Sequence, residues 1–178
     1  MERVKILDKE FGISISKDEI NIAVSSLAKK MNEDLEGKEV IFIGILNGSF
    51  MFASDLFKQI TLNCRITFLK VASYQGTIST GMVKSLIGIN ENIKGLSVVV
   101  LEDIIDSGET LENIISQLQG YSPAEIKIAT FLFKPKAFTK DYKIDYIGIE
   151  IPNDFIVGYG LDYDGYGRNL PEIYTLIK

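Results

Sequence analysis

A run of apolar residues that ends in adjacent acids constrains the fold of this chain more than any other feature. Residues 98–105 have the sequence VVVLEDII, a short polar loop follows at 106–110, and a helical pattern of apolar residues then begins at Leu111. This order predicts a buried strand, a loop and a helix. Open α/β sheets bind ligands at the carboxyl ends of their strands, and a helix N-terminus offers unpaired N–H groups to an anion. The segment therefore predicts a site for a phosphate-bearing ligand.

The charge of this segment limits how it could hold a phosphate. From Glu102 to Glu112 the chain carries five acidic side chains and no basic one, so side chains alone would repel a bare anion. Backbone N–H groups of the loop could bind the phosphate, while Glu102 and Asp103 could hold sugar hydroxyls directly or through Mg²⁺, which prefers oxygen ligands. A sugar phosphate with a metal ion fits this pattern. The alternative is an ordinary strand followed by a solvated, acidic helix start.

The same segment resembles the signature for 5-phosphoribosyl pyrophosphate (PRPP) of the type I phosphoribosyltransferases, in which apolar residues precede two acids and a D-[ST]-G-x-T loop. Further segments follow the order found in the hypoxanthine-guanine phosphoribosyltransferases of that family. These are Leu46-Asn47-Gly48-Ser49, Ser73-Tyr74 with Ser79-Thr80-Gly81, Phe131-Leu132-Phe133-Lys134, and the stretch from Ile151 through Asp162 to Arg168. The resemblance covers about residues 5–175.

The resemblance implies an α/β fold of the type I phosphoribosyltransferase class. A single domain over residues 1–178 would hold a central, mostly parallel sheet flanked by helices, with a small hood built from the N- and C-terminal segments. The local patterns are typical of such a fold. A capping box at Ser16–Glu19 predicts a first helix, and apolar residues 40–46 predict a strand covered on both faces. Further strands are predicted at 65–72, 84–89, 125–133 and 146–151.

Two residues receive catalytic roles from the resemblance. Asp106 would take or share the proton of the purine's imidazole ring while the other ring nitrogen attacks the ribose. Its alternative role is the N-cap of the following helix, a position that aspartate favours. Lys134 would donate a hydrogen bond to the six-position carbonyl oxygen of the base. Its alternative is an exposed lysine at a strand end.

The remaining site residues are implied by the same resemblance. The PRPP and phosphate site would contain Glu102, Asp103, Ser107, Gly108, Glu109, Thr110, Leu46, Asn47, Gly48 and Arg168. The purine site would contain Lys134, Phe155, Ile156 and Asp162, the metal ligands would be Glu102, Asp103 and Asp162, and a lid would contain Ser73 and Tyr74.

Two features of the phosphate loops stand out within this resemblance. The Leu46-Asn47-Gly48 loop matches one with an unusual, often non-proline cis peptide. Asn47 and Glu109 stand where many or some members carry lysine, so neither position supplies a cation to a phosphate.

Composition excludes several other functions. The 178 residues contain no histidine, which excludes histidine-based triads and metal sites, so proton transfer near neutral pH needs another group. A net charge of −5 argues against nonspecific nucleic-acid binding, and no apolar run is long enough to span a membrane. The single cysteine and the absence of a signal-like N-terminus favour the cytoplasm. A hydrophobic content of 46% favours an oligomer interface, and the resemblance implies a homodimer or homotetramer.

Together these features predict a magnesium-dependent phosphoribosyltransferase of purine salvage. It would convert hypoxanthine, and also guanine, with PRPP into the nucleotide monophosphate and pyrophosphate. Two alternatives stay open at this point. One is a PRPP-binding regulator that has kept the fold, and the other is a phosphoribosyltransferase for another base such as xanthine.

Overall fold

Strands and helices alternate along the chain in the computed structural model, which describes residues 3–72, 84–87 and 89–177. In chain order the elements are β1 (Arg3–Ile6), β2 (Lys9–Ile15), α1 (Lys17–Asp34), β3 (Val40–Leu46), α2 (Phe50–Phe57), β4 (Cys64–Ala72), β5 (Lys84–Ile87), β6 (Ser97–Ile105), α3 (Glu109–Gln119), β7 (Glu125–Phe133), β8 (Tyr146–Glu150), β9 (Ile156–Val157) and β10 (Ile173–Leu176). The predicted alternation of strands and helices is confirmed.

The central sheet has the strand order β5-β4-β3-β6-β7-β8. Strands β3, β4, β6, β7 and β8 are parallel to their neighbours, and β5 pairs antiparallel with β4 at one edge. Parallel strands end at the same edge of a sheet. The loops after β3, β6 and β7 therefore open side by side, since these three strands are adjacent.

Both faces of the central sheet are covered. Phe42 and Val99 pack in the core beneath α1 and α2, whereas Ile41 and Val98 face the other core, which contains Ile114 of α3. Successive side chains on a strand point to opposite faces, so a strand buried on both sides needs an unbroken apolar sequence. This explains why residues 40–46 and 98–101 are nearly continuous apolar runs.

A second, antiparallel sheet with the order β1-β2-β10-β9 forms the predicted hood. Ile15, Ile156 and Ile173 of this sheet share a core with Phe131 and Leu132 near the carboxyl end of β7. The N- and C-terminal segments are therefore tied together and pack on the central sheet beside the site.

Element ends differ slightly from the sequence prediction. The capping box at the start of α1 is present, since Ser16 Oγ accepts a hydrogen bond from the Glu19 backbone at 3.3 Å and Glu19 Oε2 accepts one from the Ser16 backbone at 2.8 Å. Strand β5 ends at Ile87 and β8 at Glu150, earlier than predicted, and Glu150 pairs with Phe133, the last residue of the neighbouring β7. The predicted lid residues Ser73 and Tyr74 lie outside the described residues.

Among the residues that the structure describes, no helix is long and apolar enough to cross a membrane.

Candidate active site

The loop after β6 lines a cavity at the carboxyl edge of the central sheet. The cavity has a volume of about 300 Å³, and its walls are formed by residues 102–111. Lys134 directly follows β7, and the Asn47–Ser49 loop directly follows β3, on the strand neighbours of β6. Strand order thus brings together three of the segments that the sequence singles out.

Glu102 and Asp103 form an acidic pair at the end of β6. Glu102 is 6% exposed, and burial raises its pKa well above the usual range, with the charge of Asp103 adding to the rise. Burial raises the pKa of Asp103 to about 6, although the backbone N–H of Ile104, which donates to Asp103 Oδ1 at 2.8 Å, favours the ionised form. The charge of Arg168 also lowers this pKa.

The acidic pair fits a divalent cation. Among residues 3–72, 84–87 and 89–177, neither carboxylate forms a salt bridge to a basic side chain, and Arg168 acts on Asp103 only from a greater distance. Within the same residues no group of three acidic or cysteine side chains converges on one point. A metal ion here would therefore need additional oxygen ligands from a substrate or water, which is the usual habit of Mg²⁺.

Asp106 and Lys134 are in direct contact. Lys134 Nζ lies 3.1 Å from Asp106 Oδ2, with the lysine side chain 10% exposed and the aspartate side chain 51% exposed. The alternative of an exposed strand-end lysine is therefore wrong. The N-cap alternative for Asp106 is also wrong, because the N-cap of α3 is Gly108. The pair leaves one carboxylate open to the cavity beside a buried ammonium group.

The loop between β6 and α3 is held from outside by the segment after β7. Gly108 has a φ of +87°, and a side chain at this position would collide with the ring of Phe138. The backbone N–H and the hydroxyl of Thr139 each donate to the Ser107 carbonyl oxygen at 3.3 Å. Glu109 and Thr110 at the start of α3 are exposed. The loop therefore presents its backbone with little freedom to change shape.

The loop after β3 contains the expected cis peptide, between Leu46 and Asn47. Gly48 lies directly against the Asp103 carboxylate, so that any side chain at this position would overlap it. Gly160 packs against the Gly48 carbonyl oxygen, so that a side chain at 160 would overlap that oxygen. Asn47 is exposed, whereas Gly48 is buried.

Arg168 and Asp162 pair with each other beside this loop. Arg168 Nη2 lies 2.6 Å from Asp162 Oδ1, and Arg168 Nη1 donates to the Gly160 carbonyl oxygen at 2.7 Å. Asp162 Oδ2 also accepts a hydrogen bond from the Gly165 backbone at 2.7 Å. Both charges act on the pKa of Asp103, so the two side chains lie within electrostatic reach of the acidic pair.

Phe155 sits at the edge of the hood with 46% of its surface exposed. Its ring packs edge-to-face on Tyr163, with centroids 5.8 Å apart, and against Phe11 at 6.2 Å. The backbone of Leu176 donates to the Phe155 carbonyl oxygen, which makes the next pair, Ile156 and Thr175, a non-hydrogen-bonded pair. The N–H and C=O of Ile156 therefore point away from β10, toward the open edge of the hood.

Several residues around the site were not identified from sequence. Tyr163 donates to Asp8 Oδ1 at 2.8 Å, and Lys9 Nζ lies 4.3 Å from the centroid of the Tyr163 ring. Lys140 pairs with Glu112 at 2.6 Å, which raises the pKa of Lys140 and brings a cation next to the acidic loop. No local pattern marks these residues, because their partners lie far away along the chain.

The chain is similar to known proteins over most of its length. A model of the phosphoribosyl transferase domain matches residues 16–164. The chain is 41% identical over 165 residues to the hypoxanthine-guanine phosphoribosyltransferase of Streptococcus pneumoniae, which covers 92% of each protein. A crystal structure of a hypoxanthine-guanine phosphoribosyltransferase from Bacillus anthracis superposes with a TM-score of 0.87 at 40% identity, covering 94% of this chain and 97% of that one. A hypoxanthine phosphoribosyltransferase from Staphylococcus aureus superposes with a TM-score of 0.88 at 38% identity, covering 93% and 91%.

The raised pKa of Asp103 predicts how stability depends on pH. Between its ordinary value of 3.8 and the folded value of about 6, the folded protein binds more protons than the unfolded chain. The free energy of unfolding should therefore fall as the pH rises through this window. We expect the free energy of unfolding to decrease less over this pH range in Asp103→Asn, because this side chain cannot ionise.

The measurement is denaturant unfolding in chelator at several pH values between about 4 and 7.5, with the exposed Asp141→Asn as the control. An identical pH dependence in wild type and Asp103→Asn would mean that the buried carboxyl titrates as it does in water.

Proposed function

Because the chain belongs to the phosphoribosyltransferase family, we propose that it transfers the phosphoribosyl group of PRPP to hypoxanthine, and to guanine, in purine salvage. The products are the purine nucleotide monophosphate and pyrophosphate. The contact between Lys134 and Asp106 is the observation that carries this proposal. A 6-oxopurine presents a carbonyl oxygen next to a ring nitrogen that carries a proton, and the pair offers a donor next to an acceptor.

Lys134 accounts for the choice of a 6-oxopurine. An ammonium group has three donors and no acceptor, so it can bind a carbonyl oxygen but meets the amino group of adenine donor to donor. In a site shielded from water, such a mismatch leaves a polar group unpaired and discriminates strongly. Lys134 is buried, which supports this role.

Asp106 is the group that we assign to the proton of the imidazole ring. In a chain without histidine, a half-exposed carboxylate beside the base is a reasonable acceptor. As the proton leaves one ring nitrogen, the opposite ring nitrogen becomes a better nucleophile toward the ribose. The adjacent ammonium of Lys134 stabilises the negative charge that develops on the base during this step.

We assign the ribose and phosphate end of PRPP to the acidic pair and the loop that follows it. Glu102 and Asp103 would hold the ribose hydroxyls with Mg²⁺, and the backbone of residues 107–110 would bind the 5′-phosphate. Asp162 would share a second Mg²⁺. When bound, the metal supplies positive charge that offsets the negative charge of the pyrophosphate leaving group. Ionised carboxylates bind the metal best, but burial of the pair disfavours the ionised form unless a cation is present. We therefore expect PRPP binding to depend on the metal.

The pyrophosphate and the base occupy opposite ends of this proposed arrangement. The Leu46–Gly48 loop and Arg168 would bind pyrophosphate as it leaves, with Arg168 exchanging its partner Asp162 for phosphate oxygens. Phe155 would stack on the purine, and the outward-facing backbone of Ile156 would read its edge. Ser73 and Tyr74 would close over the reacting centre and exclude water.

Assembly and compartment complete the proposal. We place the enzyme in the cytoplasm because its one cysteine cannot form an internal disulfide, and we expect a homodimer or homotetramer. Phe50, at the start of α2, is 42% exposed and belongs to a largely apolar helix, which suits a subunit contact. Light scattering that shows a monomer at assay concentration would exclude this assembly.

A turnover assay of the wild type with hypoxanthine, guanine, xanthine and adenine, in Mg²⁺ and in excess chelator, tests the function. We expect kcat/KM to be high for hypoxanthine and guanine, barely detectable for adenine, and lost for all bases in chelator. The net charge of −5 disfavours the alternative of a nucleic-acid-binding regulator. Binding of PRPP without turnover of any base would instead support a regulator, and turnover of xanthine alone would support the other alternative.

The role of Asp106 gives a sharper prediction. Asp106→Asn keeps the size of the side chain but cannot accept the proton. We expect kcat to fall about a hundredfold or more, as is typical when a general base is lost, with little change in melting temperature. The exposed Asp141→Asn serves as the control. Near-normal turnover in a folded Asp106→Asn variant would remove Asp106 from the chemistry.

A further inference from the structure

The short segment 158–160 contacts two parts of the proposed pyrophosphate site, the loop after β3 and Arg168. We propose that Tyr159 is a positioning residue for the pyrophosphate end of the site, acting through its hydrogen bond to Asp55 on α2. This bond holds Gly160, which in turn contacts Gly48 and binds Arg168. The inference rests on the proposed function, since it takes the loop after β3 and Arg168 as the pyrophosphate site.

The backbone of this segment is unusual. Gly158, Tyr159 and Gly160 all have positive φ angles, of 97°, 48° and 100°. Glycine adopts such angles without a penalty, but for a residue with an aromatic side chain this conformation is costly. A residue keeps this backbone only where its surroundings compensate for the cost. The contacts of the Tyr159 side chain supply that compensation.

Tyr159 is buried and anchored at both ends of its side chain. It is 3% exposed, its ring lies 4.9 Å from that of Phe131, and its hydroxyl donates to Asp55 Oδ2 at 2.9 Å. Burial raises the pKa of the Tyr159 hydroxyl, with the hydrogen bond to Asp55 contributing, so the group remains a donor. A hydrogen bond to a charged acceptor is stronger than one between neutral groups. Asp55 is itself paired with Lys58 at 2.7 Å.

Gly160 passes this anchorage to the site. Its Cα lies against the Gly48 carbonyl oxygen so closely that any side chain at 160 would overlap that oxygen. Its N–H donates to the Arg168 carbonyl oxygen at 3.0 Å, and its own carbonyl oxygen accepts from Arg168 Nη1 at 2.7 Å. A shift of Gly160 would therefore move both the loop and the guanidinium group.

The position of Asp55 connects these contacts back to the loop that contains Gly48. Helix α2 begins at Phe50, immediately after the loop that contains Gly48, and Asp55 lies on the same helix. The Tyr159–Asp55 bond thus fixes the segment 158–160 relative to the helix that ends the pyrophosphate loop. Neither Tyr159 nor Asp55 needs to touch the substrate for this effect. Asp106 and Lys134, on the base side of the site, do not take part in these contacts.

This separation predicts a selective kinetic effect. Tyr159→Phe removes the hydroxyl but keeps the ring on Phe131. We expect the KM for PRPP to rise roughly three- to tenfold, less than the full loss of a hydrogen bond to a charged group because Tyr159 acts only through Gly160, while kcat and the KM for hypoxanthine stay within about twofold. Asp55→Ala should produce the same change, and the double variant should be no worse than either single variant, because the Tyr159–Asp55 hydrogen bond is removed in each case and the Asp55–Lys58 pair is largely exposed to solvent.

Two further variants serve as controls. Asp55→Asn keeps a side-chain oxygen that can accept from Tyr159, so we expect it to restore most of the PRPP KM that Asp55→Ala loses. Tyr146→Phe removes another buried tyrosine hydroxyl, on β8, and should leave all constants unchanged. All proteins are assayed as full chains in saturating Mg²⁺, and calorimetry with magnesium pyrophosphate as the probe measures the same site without turnover.

The outcomes separate this inference from the proposed function. An unchanged PRPP KM in Tyr159→Phe and Asp55→Ala, or equal rises in the KM values for PRPP and hypoxanthine, would overturn the positioning role. If Tyr159→Phe does not fold, the comparison of Asp55→Ala with Asp55→Asn decides in the same way. If the wild type turns over no base, the proposed function fails, and the calorimetric loss of pyrophosphate affinity still tests the role of Tyr159.

Discussion

The acidic pair at the end of β6 is the constraint on which the rest of the site depends. Glu102 is buried and Asp103 is partly buried, neither forms a salt bridge among the described residues, and their raised pKa values reflect the cost of desolvation. An isolated buried carboxylate is unfavourable unless it is protonated or meets a cation. Both carboxylates line the cavity at the end of β6, with Gly48 packed against Asp103 and Arg168 within electrostatic reach. The metal requirement that we propose follows from this arrangement.

The two halves of the proposed reaction are supported by different parts of the fold. In the proposed arrangement the base would contact Lys134, which follows β7, and Phe155, which lies next to β9 of the hood. The proposed pyrophosphate end contains loops held by glycine contacts and by the Tyr159–Asp55 hydrogen bond. Because the Tyr159–Asp55 hydrogen bond lies on the pyrophosphate side, we expect its removal to change the binding of PRPP and to spare the base. This separation suits a reaction that joins two dissimilar substrates in line.

Family membership and site geometry support the proposed function independently. The matched family model and the relatives at about 40% identity identify a phosphoribosyltransferase. The Lys134–Asp106 contact is a separate observation, and it favours a 6-oxopurine over a 6-aminopurine on hydrogen-bonding grounds alone. Many members of the family carry lysine at the position of Asn47, and some carry lysine at that of Glu109. Without these lysines, Arg168 and bound metal are the proposed sources of positive charge near the pyrophosphate.

The sequence by itself predicted most strands of the central sheet and the order of the site segments, because burial on both faces demands unbroken apolar strands and loops follow at their ends. Through the family resemblance it also pointed to Asp106, Lys134 and the acidic pair as candidate site residues, which lie at or next to strand ends. Only the tertiary structure decided that Gly108, not Asp106, caps α3, and that Lys134 is buried against Asp106. The Tyr159–Asp55 bond joins residues 104 positions apart, so strand register and chain path create it, and local periodicity carries no trace of it.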